Sequence, residues 1–268
     1  LGSGSDFTPF LQHLGVAALN IGYGGEDDSG IYHSIYDDFY WYTHFSDTSF
    51  VYGRALAQTA GTAVMRLADA DVLPFAFTNL AGTARGYVRE LEQLRDRRAD
   101  EIAERARELD EGAYTATRDP RAPTAPPPRL GPAPHLNFAP VLDALDSLDR
   151  AALRYERAYE TWSAAAARPS AGAPANAAAL HALDVHLLAS ERQLTDAAGL
   201  PRRPWFRHLL YAPGYYTGYG VKTMPGAREA IEQGEWAEAD VQLRRIADAL
   251  RAEAAHVSRA AILLGGAP

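Results

Sequence analysis

The chain contains no cysteine, and this absence removes several kinds of chemistry at once. Disulfide frameworks, cysteine nucleophiles and zinc sites built from thiolates are all excluded. The absence does not report the redox compartment, because proteins of every compartment can lack cysteine.

Long apolar runs and an excess of positive charge are also missing. No apolar run approaches the roughly 18 to 20 residues that a helix needs to cross a bilayer. Hydrophobic residues nevertheless make up 47% of the 268 residues, which is enough for a sizeable core in one or two domains. The net charge of −8 disfavours binding to phosphate backbones or anionic lipid, so we predict no nucleic-acid partner.

The first 73 residues have the pattern of part of an α/β domain. Asp6 to Leu14 is predicted to be a short helix that Ser5 or Asp6 could cap, since its apolar residues recur at helical spacing. After Gly15, the compact apolar run from Val16 to Tyr23 predicts a buried strand. A longer helix is predicted from about Thr48 to Ala70. Helix, glycine and buried strand in this order are typical of an α/β sheet.

From Phe75 onward the sequence predicts long helices and no convincing strand. A proline-rich stretch at 115–136 forbids a helix there and favours an extended connection. Four amphipathic helices are predicted, at about 81–111, 138–167, 176–198 and 226–264. Their apolar stripes must be covered by one another or by a second copy, which predicts an all-α helical bundle.

Two short segments carry the candidate chemistry. Tyr32-His33-Ser34 follows a loop rich in glycine and aspartate, and its histidine could hold a metal or could be an ordinary loop histidine. A catalytic zinc needs three protein ligands, and most of that set is missing. Asp37 and Asp38 could also form a carboxylate pair that binds a metal, but the solvated start of a helix is the simpler explanation. The second segment, 204–220, alternates aromatic residues with glycines, which suits a binding wall.

Several short motifs, in their order and spacing, resemble the C-terminal part of glutamate carboxypeptidase II and its relatives. This group of di-zinc exopeptidases also includes the non-catalytic transferrin receptor. The motifs run along the whole chain: Leu1-Gly-Ser-Gly-Ser-Asp-Phe, Gln12-His-Leu-Gly-Val-Ala, Tyr32-His-Ser-Ile-Tyr, Val72-Leu-Pro-Phe, Gly199-Leu-Pro, Arg203-Pro-Trp-Phe-Arg-His-Leu-Leu-Tyr-Ala-Pro and Pro225-Gly.

The resemblance implies a fold and an assembly. Residues 1–73 would be the C-terminal part of the peptidase α/β domain, and residues 74–268 a helical transferrin receptor-like dimerisation domain that forms a homodimer. Because the chain begins at Leu1 in the middle of a motif, we expect an N-terminal part of the same protein to precede it. An extracytoplasmic location, periplasmic, secreted or membrane-anchored, is expected from the same resemblance.

The resemblance also implies roles for individual residues. His33 would be the last of five ligands of a pair of zinc ions, and Tyr32 would donate a hydrogen bond to the oxyanion of the reacting carbonyl. Ser3, Gly4 and Ser5 would line the cleft beside the bond that is cut. Tyr219 would contact the α-carboxylate of the released residue. The bridging aspartate, the other ligands and the general-base glutamate would precede Leu1, so the isolated chain is expected to be inactive.

Three departures from the family pattern concern the substrate. Gly218 stands where the glutamate-specific enzyme has a lysine that reads the side-chain carboxylate, and Lys222 is a nearby candidate to replace it. Asn20 and Gly22 occupy the positions of two arginines that favour acidic residues on the other side of the bond. Ser5 replaces an asparagine. These departures predict a peptide or small amidated substrate that is less acidic.

Alternative interpretations remain at this stage. Ser3 and Ser5 could be no more than a helix cap and a turn, and Tyr219 could pack across a dimer interface. A serine nucleophile built on Ser5 or Ser34 lacks the Gly-x-Ser-x-Gly elbow. At the level of the protein, a zinc carboxypeptidase competes with a non-catalytic receptor-like dimer and with a dimerisation module. The Tyr32-His33 pair favours the enzyme, because a scaffold has no chemical need for a metal ligand there.

Overall fold

The structure, a computed structural model, describes residues 4–25, 31–117, 119, 121, 125–167 and 177–265. It divides into two compact units. One contains Ala18–Pro74, and the other contains Gly2–Ala17 together with Phe75–Pro268. The predicted domain limits, 1–73 and 74–268, stay predictions, although the boundary near Pro74 is common to both divisions.

The apolar run that follows Gly15 forms no strand, contrary to the prediction for Val16–Tyr23. Leu19, Ile21 and Tyr23 are exposed instead of buried. A strand satisfies its backbone groups only by pairing with a neighbouring strand, and no described residue pairs with this segment. The α/β arrangement expected for residues 1–73 is therefore not seen in the described residues.

Two helices account for the regular structure of the first unit. Helix α1 spans Phe39–Phe45 and helix α2 spans Val51–Ala68, close to the predicted helix at 48–70. The Asp38 carboxylate accepts a hydrogen bond from the Trp41 backbone N–H at 2.8 Å, which confirms the interpretation of this aspartate as a helix start.

A nearly buried carboxylate, Asp47, fastens the corner between α1 and α2. It accepts hydrogen bonds from the Tyr42 hydroxyl at 3.1 Å and from the backbone N–H groups of Tyr52 and Gly53 at 3.2 and 2.7 Å. Burial raises the pKa of Asp47, whereas these hydrogen bonds to the ionised form lower it. The lowering is the larger effect, so the pKa lies below its ordinary value. The sequence did not single out this residue, and its hydrogen bonds make it a structural cap.

The second unit is helical. A short π-helix spans Pro9–Leu14. Seven α-helices follow within the described residues: α3 Phe77–Asp110, α4 Ala113–Ala116, α5 Ala139–Ala166, α6 Ala177–Leu187, α7 Ser190–Gln193, α8 Pro225–Gln233 and α9 Trp236–Gly265.

The core of this unit lies between α5 and α9, which form the most extensive helix pair. Leu145, Leu148, Leu250 and Val257 are fully buried, and small alanines such as Ala151 lie beside them. Alanines in the seam let two helices approach closely, while the leucines fill the space between them. Helix α3 packs on α5, and α8 packs on α9. The predicted helical bundle is confirmed.

Two predicted helices are each broken in two. The helix expected at 226–264 stops at Gly234, whose φ of +74° is left-handed and whose N–H caps α8 by bonding to the Ile231 carbonyl. The helix expected at 176–198 ends as α7. There Leu194 accepts a backbone hydrogen bond from Leu209, so the chain satisfies its carbonyls through another segment instead of through further helical turns.

A small antiparallel sheet, which the sequence did not predict, follows this break. Strand β1 spans Tyr211–Pro213, strand β2 spans Val221–Thr223, and Tyr211 lies opposite Thr223. The two strands form the base of the loop at 214–220, called the aromatic loop below. Three-residue strands have too short a pattern to be recognised from alternation alone.

No helix among the described residues is long and apolar enough to cross a membrane.

Candidate functional site

Tyr32 and His33 form the corner of a tight turn in the first unit. The Ser34 N–H donates to the Ile31 carbonyl at 2.9 Å, and His33 at the third position of the turn has a φ of +62°. A left-handed third position is the mark of a type II turn, which usually takes glycine. A non-glycine residue there is strained, and strained positions concentrate at functional sites.

The two rings of this turn lie against each other and face solvent. Their centroids are 3.8 Å apart with 24° between the planes, and both side chains are exposed. The imidazole is thus exposed to solvent and is not packed in the core, as a structural histidine often is. Among the described residues, no three His, Asp or Glu side chains come together as a metal site requires. His33 is available as a single donor and does not complete a site with its described neighbours.

Gly4 and Tyr219, two predicted substrate residues far apart in sequence, are in contact within the second unit. A Cβ placed on Gly4 would lie 2.2 Å from the Tyr219 ring, and Gly4 has a φ of +73°. Only glycine permits both this backbone conformation and this approach. Tyr219 is 67% exposed in spite of this contact.

The two serines of the opening motif have different outcomes. Ser3 lies outside the described residues, so its predicted role stays a prediction. Ser5 is exposed, and its carbonyl accepts the Thr8 N–H at 3.0 Å. The predicted capping by Ser5 or Asp6 is wrong, because the helix begins later, at Pro9, after Thr8 and without a side-chain cap.

The aromatic loop is fastened by a buried ion pair that sequence reasoning missed. Glu229 on α8 is 3% exposed at its side chain and receives two hydrogen bonds from Arg203, at 2.7 and 3.1 Å. The same carboxylate accepts the Tyr215 backbone N–H at 2.6 Å, and Arg203 also donates to the Pro213 carbonyl at 3.1 Å. No local pattern joins residues 26 positions apart, so the sequence offered no signal for this pair.

Aromatic rings project from the fastened loop. The guanidinium groups of Arg202 and Arg203 lie 5.9 and 5.7 Å from the centre of the Tyr215 ring, and Tyr215 meets Tyr216 edge to face. Tyr216 is 81% exposed. The loop therefore combines a rigid base with exposed tyrosine rings.

The two residues discussed for substrate selectivity lie at this loop and beside it. Gly218 has a φ of +57°, and a Cβ built there meets nothing within 4 Å. Lys222 on β2 forms a salt bridge with Glu232, so its ammonium group is engaged by a carboxylate of the same unit. In the first unit, Asn20 and Gly22 are exposed on the irregular segment.

The comparison with protein families finds a similarity in the helical unit. Residues 136–258 match the transferrin receptor-like dimerisation domain. This match runs from the start of α5 to near the end of α9 and so includes the packed helix pair and the aromatic loop.

The comparison with curated proteins then points to particular relatives. The chain is 28% identical to a probable glutamate carboxypeptidase of Arabidopsis thaliana over 257 residues, which is 93% of this chain and 30% of the relative. It is 28% identical to a probable glutamate carboxypeptidase of Arthroderma benhamiae, covering 93% and 29%. An aminopeptidase of Rattus norvegicus is 21% identical, covering 95% and 30%. The chain thus spans about 30% of the length of these relatives. The resemblance to the glutamate carboxypeptidase and transferrin receptor group is confirmed.

Proposed function

We propose that this chain is part of a zinc-dependent exopeptidase of the carboxypeptidase type. The observation that carries the proposal is the Ile31–Ser34 turn, which holds an exposed imidazole in a strained left-handed conformation beside an exposed tyrosine. Strained backbone positions concentrate at functional sites, where the strain can serve the chemistry. The names of the relatives, two glutamate carboxypeptidases and an aminopeptidase, support the same class.

The described residues fit one position of a metal pair. His33 would hold one ion through a ring nitrogen, and a bound zinc pair supplies Lewis-acid polarisation of the carbonyl that is attacked. Tyr32 would donate its hydroxyl proton in a hydrogen bond to the developing oxyanion. We propose that the other ligands and the general-base glutamate come from polypeptide outside these 268 residues, and that the chain by itself is inactive. Hydrolysis by the isolated chain with tightly bound zinc would contradict this.

The substrate proposal rests on the aromatic loop and Gly4. Tyr219 would donate to the α-carboxylate of the residue being released, from a ring supported by the bare Cα of Gly4. The open space at Gly218 holds no cation, and the Lys222 ammonium is paired with Glu232. The described part of the loop therefore presents no free lysine to a side-chain carboxylate, and we propose a peptide or small amide with a neutral C-terminal residue as substrate.

Replacing Tyr32 by phenylalanine tests the catalytic proposal. In the polypeptide that also carries the other ligands, we expect kcat to fall by about 10² to 10³ because one oxyanion donor is lost. Zinc content measured by mass spectrometry should not change.

Substrates that end in glutamate and in leucine are assayed side by side, and the leucine substrate should be the faster.

Tyr36, which is equally exposed in the same stretch, supplies the matched control. The Tyr36→Phe variant should keep wild-type kcat. Equal kcat values for Tyr32→Phe and Tyr36→Phe would remove the oxyanion role, and a faster glutamate substrate would remove the proposed selectivity.

A second proposal concerns assembly. The match of residues 136–258 to a dimerisation domain favours a homodimer formed by the helical unit. Large apolar side chains remain exposed on its helices: Leu153, Val185, Val241 and Ile262. Light scattering of the whole chain at micromolar concentration should give twice the 29.1 kDa mass. A strict monomer over that range would contradict the dimer and favour a role for these residues outside self-association.

A further inference from the structure

A groove on the helical unit, between α5 and α9, gathers three arginines. Its volume is about 370 Å³, and Ala254 and Ala255 of α9 are among its lining residues. The polar residues that line it are Ser147, Arg150 and Arg154 of α5 and Arg251 and Ser258 of α9. The spacings i, i+3 and i+7 on α5, and i and i+7 on α9, place each set on one face of its helix.

Two serines orient two of the arginines. Arg150 Nη2 donates to Ser147 Oγ at 3.0 Å, and Arg154 Nη2 donates to Ser258 Oγ at 2.9 Å. The Ser147 hydroxyl donates its proton to the Asp143 carbonyl, and the Ser258 hydroxyl donates to the Ala254 carbonyl. The serines therefore act as acceptors that hold the guanidinium groups in place without neutralising them.

The positive charge in the groove is only partly compensated. Arg251 donates to the Pro140 carbonyl at 3.2 Å and forms a salt bridge with Asp248 at 2.8 Å. In the part of the chain that the structure describes, Arg150 and Arg154 contact no carboxylate. Among the described residues, one carboxylate thus pairs with the three guanidinium groups, and about two positive charges in the groove have no such partner. This local excess is opposite in sign to the net charge of the whole chain, which is −8.

Two acids of α5 that are adjacent in sequence to the groove residues do not relieve this excess, because they face another helix. Asp146 and Asp149 flank the groove residues in sequence, and both bind Arg85 of α3. The packing of α3 on α5 therefore removes these carboxylates from the groove. The serine anchors on one side and the engaged aspartates on the other leave the arginines exposed to solvent with unused donors.

We propose that this groove is a binding site for a phosphate group, either free phosphate or the phosphate of a small monoester. A guanidinium presents a planar fork of donors that matches phosphate oxygens, and two uncompensated charges match a dianion better than a single carboxylate. The groove is larger than inorganic phosphate and falls within the size range of small-molecule pockets, so it has room for an organic substituent. This site does not depend on the proposed peptidase chemistry.

Titration calorimetry of the whole chain with inorganic phosphate, at constant ionic strength set by chloride, tests the site. The Arg154→Gln variant is expected to bind phosphate at least about tenfold more weakly, since charge-assisted hydrogen bonds are lost. Arg157→Gln is the matched control, because Arg157 is an exposed arginine one turn further along α5 and outside the groove. It should bind as the wild type does. A parallel titration with phenyl phosphate separates the two sources: tighter binding than inorganic phosphate indicates a monoester, and equal or weaker binding indicates free phosphate.

Three results would overturn the proposal. These are no saturable heat with either probe up to about ten millimolar, a range that includes weak small-molecule affinities, equal weakening in both variants, or a change of oligomeric state in Arg154→Gln without a change in phosphate binding. The last would show that acidic groups of a second copy occupy the groove. Circular dichroism of the variants confirms that each is folded, which is expected because the substituted side chains are exposed.

Discussion

Replacing Arg203 by alanine is expected to lower the free energy of unfolding by about 3 to 5 kcal/mol, the range found when one partner of a buried ion pair is removed. The reason is the carboxylate that remains. Glu229 is almost completely buried, and its two oxygens accept both hydrogen bonds from Arg203 and one from the Tyr215 N–H. Without the guanidinium, the buried Glu229 carboxylate loses the charge partner that compensates its desolvation.

The neighbouring residue provides a matched control. Arg202 also forms a two-point ion pair, with Glu238 at 2.9 and 3.0 Å, but these side chains are 37% and 27% exposed. Because water screens this pair, Arg202→Ala should lower the free energy of unfolding by about 1 kcal/mol or less. Chemical denaturation of both variants at pH 7 measures the difference. Equal losses would show that burial of the Arg203–Glu229 pair has no energetic consequence.

The Glu253→Gln variant is expected to change how stability depends on pH. Burial, opposed by the Ser190 hydrogen bond and assisted by repulsion from Glu191, raises the pKa of Glu253 from 4.5 to about 8. In the folded chain this carboxyl group therefore keeps its proton at pH values where the unfolded chain has lost it. A raised folded pKa gives stability that is full below about pH 4.5 and is lost as the pH rises towards 8.

The expected slope of this loss is up to about 1.4 kcal/mol per pH unit, on the order of 4 kcal/mol in total by pH 8. A glutamine keeps the hydrogen bond from Ser190, 2.5 Å in the native chain, and has no charge to bury. The free energy of unfolding of Glu253→Gln minus that of the wild type should therefore grow between pH 5 and 8. The exposed Glu156 of α5 is the control, and its Gln variant should show no such slope.

Other groups titrate in the same range, so the comparison must be made as a difference between variants. Burial, opposed by a hydrogen bond to the His186 carbonyl, lowers the pKa of His256, whose ring stacks on that of His186 at 3.7 Å. A depressed histidine pKa loses stability as the pH falls below about 6.5, which opposes the trend of Glu253. Subtraction removes this shared contribution. Parallel curves for Glu253→Gln and the wild type would contradict the prediction.

The long helices illustrate what local pattern can predict. Residues three and four positions apart lie on one face of a helix, so the apolar residues of α5 and α9 indicated both the helices and the faces they bury. The breaks were harder to predict. Gly234 ends α8 through its left-handed backbone, and α7 ends because Leu194 pairs with a segment 15 residues away, which no helical pattern reveals.

Strands depended on distant partners in the same way. The apolar run at Val16–Tyr23 has the composition of a buried strand, but composition supplies no hydrogen-bonding neighbour, and in the described residues the segment is irregular. The hairpin of β1 and β2 had the reverse fate. Its strands, Tyr211–Pro213 and Val221–Thr223, are too short to show a pattern in the sequence. Their pairing is a contact across the aromatic loop.

The sequence by itself determined the exclusions and the helical bundle, because composition and periodicity can be read from the chain alone. Its short motifs carried the family resemblance, and that resemblance implied the roles of Tyr32, His33, Gly4 and Tyr219. The tertiary structure alone decided which of these groups meet and which charges are neutralised. It placed the Tyr219 ring on Gly4, paired Arg203 with Glu229, and turned Asp146 and Asp149 away from the arginine groove. Such pairings depend on the packing of elements far apart in sequence, where burial and distance set the energy of every charge.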